Sequence, residues 1–434
     1  MSAVGVFWAD WNRRMPGETR SLGRARLLAA ELGVSDGGPL VLTVVGSKGK
    51  GTAATYASAY LASAGLRTVT VTSPGLRGIR DRIRCQGRAV SDAEMTGLAG
   101  RLSDARARLP GYQPSAGYLS PSGLFIIAGM LHAQAVRADA VVLEAGMGGV
   151  SDEVSLFNPA VVGITKIFAE HLGVLGDTPA DIARDKAGVV TAQTRAAVSL
   201  PQEGPVAAAL SETVVTRSGS RISVEFAGTG ASGIPARLLP ASFGRANAEL
   251  GCVAAQRLLD ATGAGPPAGG LLSATLSSVV LPGRWSWHTV PQTPAPHIPA
   301  AQTSAAQTPV QLFADSAISR AGVCAALLEA YRRWDEIDRV LMCMPDHKDV
   351  AGAITELGDL PVTYVRLTDK PRLTFTHAIP PGWEAVDIGK VDHAFLAARG
   401  PRIVALGTVY FIARMLALAD VDTERLFTPP GVQP

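Results

Sequence analysis

One short stretch constrains the fold more than any other: an apolar run, a glycine-rich loop and a helical pattern in direct succession. Residues 40–46 (LVLTVVG) are apolar and rich in β-branched side chains, which is typical of a buried parallel strand. The loop GSKGKGT follows at 46–52, and 53–64 is rich in alanine with leucine and tyrosine, which predicts a helix. A strand that leads into a helix through such a loop indicates an α/β unit with a parallel sheet.

The same loop is a candidate phosphate-binding site. Glycines let several backbone N–H groups converge on phosphate oxygens, and the positive end of the following helix adds to the attraction. We expect Lys50 to reach the terminal phosphates and the Thr52 hydroxyl to bind Mg²⁺. The full candidate set is Gly46, Ser47, Lys48, Gly49, Lys50, Gly51 and Thr52. Val44 replaces the first glycine of a standard Walker A sequence, and an ordinary glycine-rich turn is the alternative interpretation.

The remainder of the chain repeats the alternation of strands and helices. Strands are predicted at 67–72, 138–143, 159–165, 310–314, 338–344, 361–366 and 402–406, and helices at 123–136, 179–189, 321–334 and 409–419. Residues 291–309 contain five prolines and no acidic residue, which predicts a linker or surface loop. We therefore expect an α/β protein. A mostly parallel, P-loop-type sheet flanked by helices should occupy 1–290, and a smaller Rossmann-like domain 310–434.

Composition and charge exclude several classes of protein. Hydrophobic residues make up 47 % of the 434 and charged residues 18 %, so the chain is not mainly disordered. The net charge of +3, from 40 basic and 37 acidic residues, argues against a nucleic-acid partner. The apolar stretch 403–419 is shorter than a membrane span, and the N-terminus lacks a signal-peptide pattern. Four cysteines without CxxC spacing indicate no zinc site or disulfide framework, so we expect a cytoplasmic protein.

Three further residues are candidates for metal or phosphate chemistry. Glu144 ends a predicted strand, where ligands of open α/β sheets bind and where a carboxylate can hold Mg²⁺; an ion pair with an arginine is the alternative. His171 lies in the loop after the next predicted strand, although a lone histidine is more often a structural hydrogen-bonding group. Lys186 lies in a predicted helix, where the ordinary alternative is a solvated lysine.

Taken in order, five motifs resemble the Mur ligase superfamily, and within it the folylpolyglutamate and dihydrofolate synthase family. They are GSKGKGT (46–52), TSPGLRGIRDRI (72–83), LEAGMGG (143–149), EHLGVLGDT (170–178) and DKAGVV (185–190). The resemblance runs from residue 40 to residue 418. It implies an ATP-dependent ligase that joins a carboxylate to an amine through an acyl phosphate and releases ADP and phosphate.

The resemblance also implies roles for individual residues near the phosphates. Lys50 and Thr52 correspond to residues that bind the triphosphate of ATP and its Mg²⁺. Ser73, Glu144 and His171 resemble metal ligands or their close supports. Two Mg²⁺ ions are implied in all.

Four more residues match positions of the family's nucleotide site. Lys186 resembles a lysine that the family carbamylates near the second Mg²⁺, and Asn247 resembles an asparagine on the adenine side. Arg284 matches a phosphate-contacting arginine, and Asp315 matches an aspartate that reaches the nucleotide from the second domain. The implied catalytic residues are Lys50, His171, Lys186 and Arg284.

The sequence departs from the family pattern where the substrates are expected. Gly75 replaces the histidine that follows Thr-Ser-Pro, and Val150 replaces the arginine that follows Gly-x-Gly-Gly. In the segment 315–320 (DSAISR), Ile318 replaces a histidine and cannot serve as a hydrogen-bond partner. Residues 243–244 (FG) replace His-Gln.

These departures lead to the main functional expectation. We expect a small-molecule carboxylate acceptor other than folate, and an amine or amino-acid donor. One alternative is a divergent folylpolyglutamate or dihydrofolate synthase that adds L-glutamate. The second is a nucleotide-binding partner protein without ligase activity. We expect no nucleic-acid or membrane partner, and a monomer or small oligomer.

Overall fold

The computed structural model describes residues 2–35, 37–170, 172–291, 309–370 and 372–432. Their contacts define two compact units: Met1–Val280 with Glu424–Pro434, and Leu281–Thr423. These bounds differ from the predicted division at 290, because strand Ser286–Val290 pairs with the sheet of the second unit and the end of the chain returns to the first. Apart from its two end residues, the predicted linker 291–309 lies outside the described residues.

The first unit contains an eight-stranded sheet flanked by helices. Its strands are β1 Leu40–Val45, β2 Thr68–Val71, β3 Ile83–Cys85, β4 Arg88–Ala89, β5 Ala140–Glu144, β6 Val161–Ile164, β7 Ala196–Ser199 and β8 Val224–Phe226. Its helices are α1 Ala3–Arg13, α2 Leu22–Glu31, α3 Lys50–Ser63, α4 Asp92–Arg108, α5 Pro121–Ala135, α6 Pro179–Ala187, α7 Gly204–Ser218, α8 Phe243–Thr262 and α9 Gly269–Ser277. The strand order is β4-β3-β2-β5-β1-β6-β7-β8. β3 runs antiparallel to β2 and β4, and the other pairs are parallel, so the predicted sheet is confirmed.

The centre of this sheet is a topological switch point. β1 lies between β5 and β6, with Val44 opposite Glu144 and Val45 opposite Ile164. From β1 the chain passes through α3 to β2 on one side, and from β5 it crosses to β6 on the other. Where connections diverge in this way, a crevice opens at the carboxyl ends of the strands. The loop after β1 and the end of β5 therefore meet at that crevice.

Helix α3 is buried along nearly its whole length, and every residue of 52–63 is buried. Helix α8 packs directly against it, because a β-carbon at Gly251 would lie 2.2 Å from the carbonyl oxygen of Ala53. Glycine permits this close backbone approach. The packing brings the first turn of α8, which carries Asn247, to the beginning of α3.

The second unit is a smaller α/β domain, as predicted. Its strands are β9 Ser286–Val290, β10 Val310–Asp315, β11 Arg339–Cys343, β12 Val362–Arg366, β13 Glu384–Asp387 and β14 Arg402–Gly407. Its helices are α10 Arg320–Arg333, α11 Val350–Leu357, α12 His393–Ala397 and α13 Val409–Leu418. The strand order is β13-β12-β11-β14-β10-β9, with only β9 antiparallel. Apolar side chains form a core on each face of this sheet.

Several helices begin with ordinary side-chain caps. Thr178 and Asp181 form a capping box at the start of α6, and Ser91 and Glu94 form one at α4. None of the helices in the described ranges combines the length and the apolar character that a membrane crossing requires.

The last segment of the chain packs on the β3–β4 edge of the first unit. Ala89 N donates to Glu424 O at 2.7 Å, and Leu426 N donates to Gly87 O at 2.9 Å. Phe427 is 2 % exposed. The segment therefore extends the sheet beyond β4 and contributes a side chain to the buried interior of the first unit.

Candidate functional site

The loop after β1 has the geometry of an anion-binding site. Gly46 and Gly49 adopt φ values of +133° and +92°, which other residues rarely adopt. A β-carbon at Gly46 would also lie 1.9 Å from Thr165 Oγ1. Gly49 is the N-cap of α3, so no side chain at that position caps the first N–H groups of the helix. These donors and the positive helix end are available to phosphate oxygens.

Two lysine ammonium groups meet at one carbonyl oxygen of this loop. Lys50 Nζ donates to Gly46 O at 3.0 Å, and Lys186 Nζ donates to the same oxygen at 2.9 Å. Lys186 is 1 % exposed, and its Nζ lies 2.9 Å from Glu170 Oε1. Burial lowers the pKa of Lys186, the charge of Lys50 lowers it further, and Glu170 raises it. Two cations held this closely favour an anionic ligand, which relieves their repulsion.

Glu144 and Ser73 lie beside the same loop. Glu144 is 6 % exposed, and its Oε2 accepts a hydrogen bond from Ser73 N at 2.9 Å. A β-carbon at Gly51 would lie 3.5 Å from that oxygen, so the carboxylate faces the beginning of α3. Ser73 Oγ accepts from Arg82 Nη2 at 2.6 Å. Oxygen atoms that could bind a metal ion thus lie next to the first turn of α3, which carries Thr52.

These oxygen donors suit Mg²⁺ that is bound together with phosphates. Mg²⁺ commonly takes one or two carboxylates and completes its shell with water and phosphate oxygens, which fits Glu144 with the hydroxyls of Ser73 and Thr52. His171, the remaining predicted ligand, lies outside the described residues. Within the described ranges, no group of three or more His, Cys, Asp or Glu residues is placed to hold a metal ion. Mg²⁺ binding at this place therefore stays a prediction.

Asn247 lies against the loop from α8. Its Nδ2 donates to Phe243 O at 2.8 Å, whereas its Oδ1 is buried and has no hydrogen-bond partner in the described part of the chain. A β-carbon at Gly49 would lie 2.2 Å from this Oδ1. A buried acceptor without a partner costs about 1–3 kcal/mol. A ligand that donates a hydrogen bond here would remove that cost.

Arg284 and Asp315 lie in the second unit. Arg284 belongs to a turn before β9, and Asp315, the last residue of β10, is hydrogen-bonded to that turn. Trp285 N donates to Asp315 Oδ1 at 3.1 Å, and Ser316 Oγ donates to Gly283 O at 3.2 Å. These bonds join the turn to the carboxyl end of β10. Arg284 is exposed there. Their role toward the nucleotide stays a prediction.

One departure from the family pattern has a local cause in the structure. A β-carbon at Gly75 would lie 2.2 Å from Gly78 O, so a histidine does not fit this loop conformation. Val150 N donates to Asp185 O at 2.9 Å, and a β-carbon at Gly188 would lie 2.8 Å from Val150 Cβ. Packing therefore restricts Gly75 and Gly188 to glycine, whereas nothing in the structure explains valine at position 150.

A buried carboxylate pair was not singled out by the sequence patterns. Asp152 and Glu153 are both 0 % exposed, and Arg20 Nη1 lies 3.0 Å and 3.2 Å from their oxygens. Ser120 Oγ donates to Glu153 Oε1 at 2.7 Å, and Met147 N donates to Asp152 Oδ2 at 2.9 Å. Burial and the charge of Asp152 raise the pKa of Glu153. The pair fixes the turn that follows β5 and so helps to position the carboxylate at the end of that strand.

The structure thus brings most predicted residues of the first unit to one place. The loop 46–52, Ser73, Glu144, Lys186 and Asn247 lie around the beginning of α3. Three residues join this set without having been predicted: Thr165, Glu170 and Arg82. Glu170 and Arg82 lie inside the motifs 170–178 and 72–83, so the motifs contained a signal, but no pattern indicated their partners.

Comparison with known proteins agrees with the family resemblance of the five sequence motifs. Over 197 residues the chain is 30 % identical to the dihydrofolate synthase/folylpolyglutamate synthase of Escherichia coli (strain K12), an alignment that covers 45 % of each protein. The chain therefore spans less than half the length of this curated relative. No protein-family model matches the chain.

Solved structures extend the similarity to nearly the whole fold. The apo form of L. casei FPGS matches with a TM-score of 0.74 at 17 % identity and covers 96 % of this chain and 99 % of its own. Mycobacterium tuberculosis folylpolyglutamate synthase, solved with ADP and AMPPCP, gives a TM-score of 0.74 at 20 % identity, with coverage of 97 % and 100 %. These similarities favour the alternative of a folylpolyglutamate or dihydrofolate synthase, and the expectation of a non-folate acceptor finds no support in them. The chain is therefore similar in sequence to a dihydrofolate synthase/folylpolyglutamate synthase over less than half of its length, and it shares the fold of the solved folylpolyglutamate synthases.

Proposed function

We propose that the first unit binds Mg-ATP at the loop 46–52. The observation that carries this proposal is the convergence of Lys50 and Lys186 on Gly46 O, beside the uncapped beginning of α3. In this proposal Lys50 contacts the terminal phosphates, and Asn247 Oδ1 accepts a hydrogen bond from the adenine amino group. The ADP and AMPPCP complex of the M. tuberculosis protein, which shares this fold, supports the proposal.

We further propose that the protein is an ATP-dependent ligase that adds L-glutamate to a folate-type carboxylate. Its partial identity to the E. coli dihydrofolate synthase/folylpolyglutamate synthase supports this choice of substrates. A carboxylate oxygen of the acceptor attacks the γ-phosphorus, and ADP leaves. The amine nitrogen of glutamate then attacks the acyl carbon, loses a proton, and displaces phosphate.

The residues of the site contribute mainly through charge and position. Phosphoryl transfer depends on cations that face the developing negative charge, which is the proposed role of Lys50 and Arg284. Glu144, Ser73 and Thr52 would hold Mg²⁺, which neutralises phosphate charge when bound. Carbamylation of Lys186 would replace an ammonium by an anion.

A non-folate acceptor is the second candidate, and one observation favours it. The 73–82 loop has no room for a side chain at Gly75, because a β-carbon there would meet Gly78 O at 2.2 Å. An acceptor bound beside this loop would therefore lack the histidine contact that the family pattern supplies.

The first experiment is a search for the ligated product. Purified protein is incubated with Mg-ATP, L-glutamate and a reduced folate or dihydropteroate, and mass spectrometry detects any product that carries an added glutamate. ADP is counted in the same samples. An added glutamate matched one-to-one by ADP supports the folate ligase. ADP and product formed only with other carboxylates would support the second candidate.

The matched variants are Lys50→Ala and Lys390→Ala. Lys50 lies in the loop, whereas Lys390 is exposed in the second unit, so both changes remove one ammonium group. We expect only Lys50→Ala to lower the formation of product and ADP together, by about 10²–10³-fold. Unchanged turnover in Lys50→Ala would remove the loop from the proposed mechanism.

A further inference from the structure

A cavity of about 330 Å³ opens at the β3–β4 edge of the first unit. In the sheet order β4 lies four strands from β1, and none of the residues that line the cavity belongs to the loop 46–52 or to the cluster around Glu144. The lining comes from the β3–β4 hairpin, the beginning of α4, α5 and the returning C-terminal segment. The cavity is therefore separate from the proposed nucleotide site.

Charges of both signs line this cavity in equal number. Arg80 and Arg88 carry the positive charges, and Glu94 and Glu424 carry the negative ones. His132 also lines the cavity and is 4 % exposed; burial lowers the pKa of its imidazole, so the ring is neutral at pH 7. Such a lining gives no net attraction to a ligand with a large charge of one sign and suits a ligand that carries both signs.

Two of the lining groups have hydrogen-bonding capacity that the protein does not use. Arg80 Nη2 pairs with Glu424 Oε1 at 2.6 Å, and Glu94 Oε2 accepts from the backbone of the α4 capping box. By contrast, the Arg88 guanidinium has no hydrogen bond or ion pair with any of the described residues. His132 Nε2 is buried and has no hydrogen-bond partner there either. A buried polar atom without a partner is uncommon in native proteins and calls for one.

We propose that this cavity binds a small zwitterion of the α-amino-acid class. The ligand's carboxylate pairs with the Arg88 guanidinium, and its ammonium group lies toward Glu94 and Glu424. A polar atom of the ligand reaches the imidazole of His132. The volume lies at the lower end of the range for small-molecule pockets, which suits an amino acid better than a nucleotide.

The test measures binding at His132 directly, without ATP. The full chain, labelled with ¹⁵N-histidine, is titrated separately with glycine, L-serine and L-glutamate, and the imidazole resonances are followed. His132→Gln identifies the resonance of His132. We expect a saturable shift of this resonance with at least one amino acid. Acetate, methylamine and inorganic phosphate are titrated in parallel and should give shifts at least about 10-fold weaker, because each offers only one sign of charge.

Two arginine variants locate the interaction. Arg88→Ser removes the proposed carboxylate partner and should weaken binding about 10-fold or more. Arg101→Ser removes an exposed arginine from α4 that does not line the cavity, and should leave the affinity unchanged. The proposal is overturned if none of the three amino acids shifts the resonance at millimolar concentration, if Arg88→Ser binds as tightly as the original chain, or if phosphate binds more tightly than the amino acids. None of these readouts depends on ligase activity, so they are independent of the proposed function.

Discussion

At the scale of single residues, the placement of lysine is the most informative feature of the site. Only 7 of the 40 basic residues are lysines, yet two of them donate to the one carbonyl oxygen of Gly46. A compact ammonium group can share a single acceptor in this way, whereas a guanidinium spreads its donors over a plane. The loop proposed to bind phosphate therefore holds two positive charges on one acceptor.

Lys50→Ala should lower the rate of ADP formation by about 10²–10³-fold, because it removes a cation that faces developing phosphate charge. The rate is measured with saturating Mg-ATP and both substrates. Lys390→Ala serves as the control and should keep the original rate. If Lys50→Ala changed only the KM for ATP and left kcat intact, Lys50 would bind the nucleotide without assisting transfer.

The pKa of Glu153 gives a pH-dependent prediction. Burial and the charge of Asp152 raise this pKa above its ordinary value of 4.5. Between the ordinary and the raised value, the folded state keeps a proton that the unfolded state has lost, so stability falls as pH rises through this interval. Glu153→Gln removes that titration. Its Tm relative to the original chain should therefore increase between pH 4.5 and pH 7.

Thermal unfolding at the two pH values measures this difference. Glu212→Gln, a change at an exposed glutamate of the same unit, is the control and should show no such trend. A Tm difference for Glu153→Gln that stays constant with pH would contradict the assigned cause. This pair also shows a limit of sequence reasoning, because Arg20 is separated from Asp152 by 132 residues and no local pattern connects them.

At the scale of elements, the sequence predicted most of the buried strands but missed β7 inside the first sheet and the strands at the sheet edges. β1 and β5 are continuous apolar runs that are buried on both faces, and such runs are recognisable without knowledge of their neighbours. β3 and β4 have three and two residues, which is too short for any periodicity. They exist because β2 and the returning segment of the chain supply their partners. Tertiary pairing, rather than local pattern, defines them.

The contact between α3 and α8 carries the prediction at this scale. Gly251→Ala places a β-carbon 2.2 Å from Ala53 O, so the two helices must separate. We expect the free energy of unfolding to fall by about 1–3 kcal/mol. We also expect the KM for ATP to rise, since Asn247 lies one turn earlier on α8. Denaturant unfolding and steady-state kinetics measure the two effects.

Gly97→Ala is the matched control for this change. Gly97 lies inside α4 with nothing within 4 Å of an added β-carbon. Alanine there should raise stability by about 0.5–1 kcal/mol, because glycine is the poorer helix former. If Gly251→Ala proved equally stabilising, the close approach of the two helices would not exist.

At the scale of the whole molecule, the alternation of strands and helices predicted two α/β domains, and the structure has them. The bounds could not be predicted, because the proline-rich stretch draws attention to 291–309 whereas β9, just before it, pairs with β10. Nor does any pattern near the C-terminus indicate that Glu424–Pro434 returns to the first unit. Only the pairing of residues distant in sequence reveals it.

Because Glu424–Pro434 belongs to the first unit, we predict that these last residues stabilise it. Phe427 is 2 % exposed, and its backbone and ring lie against Gly87 between β3 and β4. Phe427→Ala should lower the free energy of unfolding by about 3–5 kcal/mol, the usual cost of emptying a buried aromatic position. Val432→Ala, five residues later and 45 % exposed, should change it by less than about 0.5 kcal/mol.

Hydrogen exchange identifies which unit is destabilised when the aromatic ring is removed. In Phe427→Ala the amides of Ala89 and Leu426, which donate to Glu424 O and Gly87 O, should exchange faster, and the amides of β10–β14 should keep their protection. Faster exchange confined to β10–β14 would assign Phe427 to the second unit and contradict the division at Thr423. Because the first unit contains the loop 46–52, where we propose that ATP binds, destabilising this unit from the C-terminus should also reduce the fraction of protein that binds ATP as temperature approaches Tm.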